Sequence, residues 1–271
     1  MGGASAASIR GAEALFVNPA GILPPAPDTP LHEVGLGYQR LLETSYAGSV
    51  SYARSLGGGA SSLAAGVVYF SQSSLAGYDT RGDPTGSFTP YDFAASAAFA
   101  ASPQDRLGVG GALKVIRSSL ADVSGTTAAV DFGVQARRVS AAGDGPIDMG
   151  AAVRNLGPPL KLGSVASPLP LELQGGMLWH AHQGLGVALD LHLPADQEPY
   201  FSFGLEAAFG AGEARSFLRL GYSQGRSRDL EPIAGLAAGA GLDLGRMRVD
   251  YAWLPAGDLG TTHRVSLGFR L

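Results

Sequence analysis

Large apolar residues recur at every second position along most of the chain. From Arg246 to Trp253, Met247, Val249, Tyr251 and Trp253 fall on one side, and Arg246, Arg248, Asp250 and Ala252 on the other. The last segment repeats the pattern, with Val265, Leu267, Phe269 and Leu271 opposing Arg264, Ser266, Gly268 and Arg270. Likewise Val130, Phe132 and Val134 oppose Asp131, Gly133 and Gln135, and Leu185, Val187, Leu189 and Leu191 oppose Gly186, Ala188, Asp190 and His192. Successive side chains of a strand point to opposite faces, so each run reads as a strand with one apolar and one polar face. About fourteen strands are predicted, over 31–40, 45–55, 61–72, 90–101, 105–117, 125–137, 146–155, 169–180, 184–193, 200–210, 214–223, 232–243, 246–254 and 263–271. Each is roughly 9–12 residues long, as a tilted strand that crosses a bilayer must be.

Gln183-Gly184, Leu244-Gly245 and Gly210-Ala211-Gly212 mark tight hairpins. Longer links run from Ser73 to Thr89, Ser118 to Ser124 and Asn155 to Ser167. Short turns alternating with longer loops are the pattern of an up-and-down barrel. The first thirty residues differ. Ala6 to Phe16 has weak helical character, Asn18-Pro19-Ala20-Gly21 breaks it, and Pro24, Pro25, Pro27 and Pro30 force an extended connector. Residues 1–30 are therefore expected to form a plug or cap, and residues 31–271 the barrel.

Composition decides which way the faces point. The 271 residues include 40 Gly, with 45% hydrophobic and only 15% charged residues; a soluble domain carries roughly 25% charged residues and about 7% Gly. With the apolar faces turned inward, the outside would be Gly, Ala and Ser, with few of the chain's 19 Lys and Arg to wet it. Turning the apolar faces to lipid, with small residues and scattered charges lining the lumen, resolves the conflict, and closure satisfies every backbone polar group. Tyr38, Tyr52, Trp179, Tyr200, Tyr222 and Trp253 are candidates for interfacial girdles. The expected fold is an all-β, up-and-down antiparallel transmembrane barrel in the bacterial outer membrane, surrounded by its lipid. A soluble β-sandwich binding protein is the alternative.

Zero Cys removes disulfides, thiolate zinc sites and Cys nucleophiles together. A net charge of -4 offers no basic footprint for nucleic acid. The chain ends with Leu267, Phe269 and Leu271 at alternate positions, similar to the terminal strand signal read by the outer-membrane insertion machinery, although that signal usually ends on an aromatic residue.

Several stretches together resemble the PorV/PorQ family, relatives of the fourteen-stranded FadL-type barrels. Gly11-Ala12-Glu13-Ala14-Leu15-Phe16-Val17-Asn18-Pro19-Ala20-Gly21 is similar to that family's N-terminal signature. Val153-Arg154-Asn155-Leu156-Gly157 resembles its Asn-Leu-Gly turn, Phe217-Leu218-Arg219-Leu220-Gly221-Tyr222 a later strand, and Asp250-Tyr251-Ala252 another. Family members begin with an export signal upstream of a segment like Met1-Gly2-Gly3-Ala4, so such a signal is expected before Met1. The resemblance implies a non-enzymatic barrel in protein secretion or surface assembly of the type IX kind, with secretion-system proteins or exported substrates as partners. A FadL-like channel for hydrophobic or amphipathic solutes is the alternative. The resemblance also places the Asn18, Pro19, Ala20 and Gly21 turn inside or across the barrel mouth.

The strand phases turn Lys114, Asp131, Arg154, Glu206, Arg215, Arg219, Arg246, Arg248, Asp250 and Arg264 into the lumen, with Arg137, Asp148, Glu172 and Asp190. Two readings stand: a web of mutual ion pairs, because buried charge must be paired, or a lining that selects a solute. The Arg215, Arg219, Arg246, Arg248 and Arg264 cluster is the candidate site for an anionic headgroup. His180 and His182 share a face, but no third and fourth ligands accompany them, so no metal is expected. No Ser sits in a nucleophile elbow, and Gly108 to Gly111 lies within a strand rather than in a phosphate loop. No cofactor is expected.

Overall fold

The computed structural model describes residues 1–271 except 26–29, 43, 141–144, 211, 213 and 229. Pro27 of the proline connector and Ala211 of the Gly210–Gly212 hairpin lie outside the described residues. The strands are β1 (His32–Arg40), β2 (Ser45–Leu56), β3 (Ser61–Gln72), β4 (Leu75–Tyr78), β5 (Pro84–Phe88), β6 (Tyr91–Gln104), β7 (Leu107–Leu120), β8 (Val123–Ser140), β9 (Ile147–Leu156), β10 (Leu160–Leu162), β11 (Val165–Ser167), β12 (Glu172–His182), β13 (Leu185–Pro194), β14 (Tyr200–Phe209), β15 (Ala214–Ser223), β16 (Leu236–Leu244), β17 (Met247–Pro255) and β18 (Thr261–Arg270).

Fourteen of them close into one antiparallel barrel, in the order β1-β18-β17-β16-β15-β14-β13-β12-β9-β8-β7-β6-β3-β2. β1 closes it on β18, with Leu36 facing Leu267 and Val34 facing Phe269. The two short hairpins left over, β4-β5 and β10-β11, lie within the links Ser73–Thr89 and Asn155–Ser167. The third predicted long link is absent: β7 and β8 pair as far as Leu120 and Val123, leaving a two-residue turn. The strand predicted from 232 begins instead at Leu236, because Pro232–Gly235 forms a 3-10 turn after the single helical turn α1 (Gln224–Ser227).

The inversion of the faces is seen directly. Leu113, Phe132, Leu218 and Leu220 are more than half exposed on the outer wall, whereas Asp131, Gln135, Gln174 and Asp190 are buried on the inner one. A band of exposed large apolar residues around a closed barrel is the surface that a bilayer's hydrocarbon solvates. Tyr38, Tyr52, Trp179, Tyr222 and Trp253 keep to the outward phase. Tyr200 does not: it stands opposite His192 and stacks on its ring at 4.4 Å, inside the lumen.

The N-terminal segment lies inside the lumen. 3-10 turns at Ala12–Phe16 and Pro19–Ile22 place Leu15, Ile22 and Leu23 in an apolar cluster with the inward residues Ala53, Ala64, Ala98, Ala100 and Ala112. The predicted break at Asn18 is an N-cap: its side-chain oxygen accepts the Ala20 N–H at 3.1 Å. Small inner-wall residues are required by this packing; a Cβ at Gly110 would stand 2.6 Å from the Pro19 carbonyl carbon. The segment is also pinned by charge. One carboxylate oxygen of Asp190 accepts the N–H groups of Ser5 at 2.7 Å and Ala6 at 2.8 Å, and the Gln174 amide at 2.7 Å. Arg10 donates to Gln135 at 2.6 Å and pairs with Asp148 at 3.3 Å.

Hydrogen bonds to a charged group each contribute about 1.5–3 kcal/mol. Asp190→Ala is therefore expected to loosen the segment while leaving the wall intact. Hydrogen exchange should rise at Ser5 and Ala6, with the strand amides still protected; unchanged protection at those two residues would refute the pinning role.

Candidate functional site

Because alternate inner-wall positions are small, the fourteen-stranded wall is too wide for one 3-10-turn segment to fill. Among the described residues, a cavity lies on each side of it. Short turns at 57–60, 105–106, 183–184 and 245–246 define one end of the barrel, and the links carrying β4-β5, β10-β11 and α1 define the other. The chamber toward the short turns has a volume of about 720 Å³ and is lined by Leu23, Leu31, Glu33, Leu178, Phe217 and Arg248, among others. The chamber toward the long links has a volume of about 610 Å³, with Phe16, Val17, Val68, Arg154, Ala252 and Arg264 in its lining. A separate apolar groove of about 670 Å³ lies between Tyr52, Leu63, Phe99, Leu113 and Phe132. These are outward residues, so it faces lipid rather than the lumen.

Most predicted lumen charges meet as pairs. Lys114 on β7 lies 2.8 Å from Asp131 on β8, which also accepts the Asn155 N–H at 2.7 Å. That bond holds Asn155 in the left-handed region at φ 61, where β9 bulges. Arg154 on β9 pairs with Glu172 on β12 at 2.7 Å, and the other oxygen of Glu172 meets His192 at 2.7 Å. Arg219 on β15 bridges Glu206 on β14 at 2.6 Å and Asp250 on β17 at 2.5 Å, while Arg248 reaches the second oxygen of Asp250 at 2.7 Å. Both guanidiniums lie over the Phe217 ring, at 5.0 and 5.3 Å. Attraction between such pairs offsets the cost of removing each charge from water.

The five-arginine cluster does not form. Arg219 and Arg248 meet through Asp250, but Arg215 and Arg246 are exposed toward the short-turn end, where β15 begins and β17 is about to. Arg264 lines the chamber toward the long links and makes no ion pair among the described residues. His180 turns to Asp148 at 3.3 Å, and no described group of three or more His, Cys, Asp or Glu could hold a metal. Asn18, at the predicted plug turn, is fully buried; its amide donates to the Ala6 carbonyl at 2.8 Å and to the wall carbonyls of Val134 at 3.2 Å and Ala151 at 3.3 Å. Pro19, Ala20 and Gly21 are buried beside it. Leu267 and Phe269 lie on the outward face of β18, and Leu271 follows its end, 71% exposed.

The sequence reading missed Glu13, the one acid in the apolar run from Ala12 to Val17. Burial, with Asp250 and Glu33 nearby, raises its pKa from 4.5 to about 7, against the opposing influence of Arg248 and a hydrogen bond from Ser266. Its only signal was that isolation in an apolar run.

No protein-family model matches the chain, and no curated protein matches it significantly. Solved structures do. The toluene transporter TodX of Pseudomonas putida superposes with a TM-score of 0.63 at 14% identity, covering 97% of this chain and 93% of that one. The CymD monoaromatic hydrocarbon channel gives 0.62 at 13% identity, covering 98% and 94%. A Pseudomonas aeruginosa FadL homologue gives 0.55 at 7% identity, covering 98% and 96%. The chain thus has the fold of these FadL-like barrels.

These matches overturn the expected PorV/PorQ secretion role: the structures that share the fold along nearly their whole length are described as a hydrocarbon transporter, a hydrocarbon channel and a FadL homologue. The motifs behind that expectation have a geometric explanation. Asn18-Pro19 makes the turn that seats the segment, and Asn155 makes the β9 bulge.

The raised Glu13 pKa gives a signed expectation. Its neutral form favours the seated segment, so this stabilisation is complete below about pH 4.5 and is lost as pH rises through about 7. Protection of the Ala12–Phe16 amides should fall across that window, and Glu13→Gln should flatten the fall. An equal pH dependence in both proteins would remove Glu13 as its cause.

Proposed function

We propose that the barrel is a non-enzymatic, FadL-like channel for hydrophobic or amphipathic solutes, with residues 1–30 acting as its plug. The observation that carries this reading is the divided lumen: two partly apolar chambers lie in line within one closed wall, separated by a segment that bonds to the wall but is not one of its strands. Such chambers suit ligands with an apolar body, since pockets of this size are lined mainly by hydrophobic groups with a few placed polar ones. The full-length likeness to barrels described as transporting toluene or monoaromatic hydrocarbons supports the same reading.

The wall belongs in lipid, and the outward alternation of Leu267, Phe269 and Leu271 supports recognition of β18 by the outer-membrane insertion machinery. Enrichment of charge pairs around Arg219 and Glu172 suits a lumen that must stay folded around a mobile solute.

Expression of the chain should speed the fluorescence rise of N-phenyl-1-naphthylamine added to cells with an intact outer membrane, relative to cells carrying empty vector. The same cells should show a band in their outer-membrane fraction that shifts on boiling in SDS. An unchanged rate in cells that display the shifting band would end the channel reading.

A further inference from the structure

Most outward positions of the wall carry large apolar side chains, but a patch on β3, β6 and β7 departs from this. Ala65 pairs with Ala97 across β3 and β6, both exposed, and Gly111 lies on β7 beside Phe99 of β6. Leu63, Phe99, Leu113 and Phe132 stand around these small residues as the sides of the outer apolar groove of about 670 Å³. That volume falls in the range of pockets that hold one small molecule, roughly 300–1,000 Å³.

Gly111 is the informative position. A glycine inside a strand weakens it, and often marks a bulge, a closely approaching backbone or a ligand. Gly111 is in regular register with Phe99 on one side and Phe132 on the other. A Cβ there would meet only ordinary contacts, the nearest being the Phe132 ring at 3.7 Å. Neither a bulge nor a crowding backbone accounts for the glycine, and its missing side chain deepens the groove.

The groove also has a charged end. Arg54 stands directly across from Leu63 in the β2–β3 pairing, close to the short turn that joins those strands. It shares the outward phase of Tyr52, is exposed, and makes no ion pair among the described residues. His32, its partner on β1, meets the Tyr52 ring edge-on at 5.5 Å. Ala65 and Ala97 lie further from the short turns than Leu63 and Phe99, so the groove runs from the level of Arg54 toward the middle of the wall. Short turns of outer-membrane barrels face the periplasm. A long basic side chain near that interface lays its stem along apolar surface and keeps its charge at the headgroup level. A two-fold dimer through this patch would set two Arg54 side chains at one depth, like charge toward like charge. A molecule with a phosphate at one end and an apolar chain behind it meets both parts of the site.

We infer that this groove binds one phosphoglyceride of the periplasmic leaflet, with its phosphate on Arg54 and one acyl chain over Ala65, Ala97 and Gly111. The site is outside the lumen; it rests on the wall's place in lipid and not on any solute the lumen passes.

Native mass spectrometry of the purified barrel, titrated in detergent with three probes, tests this. Dioleoyl phosphatidylglycerol carries both parts, dioleoylglycerol keeps the chains without the phosphate, and glycerol phosphate keeps the phosphate without the chains. The wild type should retain one phosphatidylglycerol about tenfold more tightly than dioleoylglycerol, the worth of one hydrogen bond to a charged group. It should not retain glycerol phosphate. Arg54→Gln should lower phosphatidylglycerol to the level of dioleoylglycerol, and Gly111→Leu, which fills the groove floor, should remove the single adduct of both. A heat-modifiable band shows that each variant is assembled; if one is not, the other decides. Equal retention of the two lipids by the wild type, or an adduct unchanged in assembled Gly111→Leu, overturns the site. So does a wild-type dimer that Gly111→Leu separates, which would give the groove to a second copy. If the wild type itself shows no heat-modifiable band, the lipid-facing wall fails and the site with it. Absence of solute uptake alone ends only the channel reading.

Discussion

In the hydrocarbon of a membrane no water is available to hydrogen-bond a peptide group, so every backbone N–H and C=O at that depth must find its partner in the protein. In this chain the β1–β18 pairing meets that demand by leaving the wall without an edge. The other features follow from closure. A wall that faces lipid on its outside must carry its large apolar residues there, which leaves small and polar residues for the inside. An interior lined by alanine, glycine and serine is then wide enough to admit a folded segment and still keep space on either side of it.

Charge in such an interior has to be arranged in local sets. The Arg219 set spans β14, β15 and β17, and the Glu172 set spans β9, β12 and β13. The Glu172 set joins strands that the ladder already pairs, whereas the Arg219 set also reaches from β15 over β16 to β17. The N-terminal segment is tied in by the same means, with Asp190 and Gln135 reaching from the wall to its backbone. Wall and segment therefore behave as one polar network with apolar packing between its nodes, and the two chambers occupy the places where that network is sparse.

The wall was legible in the sequence because lipid imposes a strict rule on alternate residues. All fourteen barrel strands were found in order, with errors confined to their ends, as at Leu120 and Leu236, where turn chemistry rather than alternation decides. Tyr200 shows that the rule was stronger than the expectation built on it: its phase matches Ser202, not Phe201, and the ring points inward as that phase requires. The candidate site was less legible. Which acid meets which base depends on register between strands distant in the chain, so Arg219 was identified but its separation from Arg215 and Arg246 was not. Glu13 was invisible as a site residue because nothing in Ala12 to Val17 shows that this run ends opposite β17. The short motifs misled for the opposite reason: they report local backbone geometry, the turn at Asn18 and the bulge at Asn155.

The bonds that seat the N-terminal segment also constrain the order of assembly. Ser5 and Ala6 are held by a carboxylate 185 and 184 residues further along the chain. Neither bond can exist until β13 has taken its place in the wall, and contacts between such distant residues carry the largest loop-closure cost. The segment precedes the wall in the chain and yet can reach its final position only after β13 has.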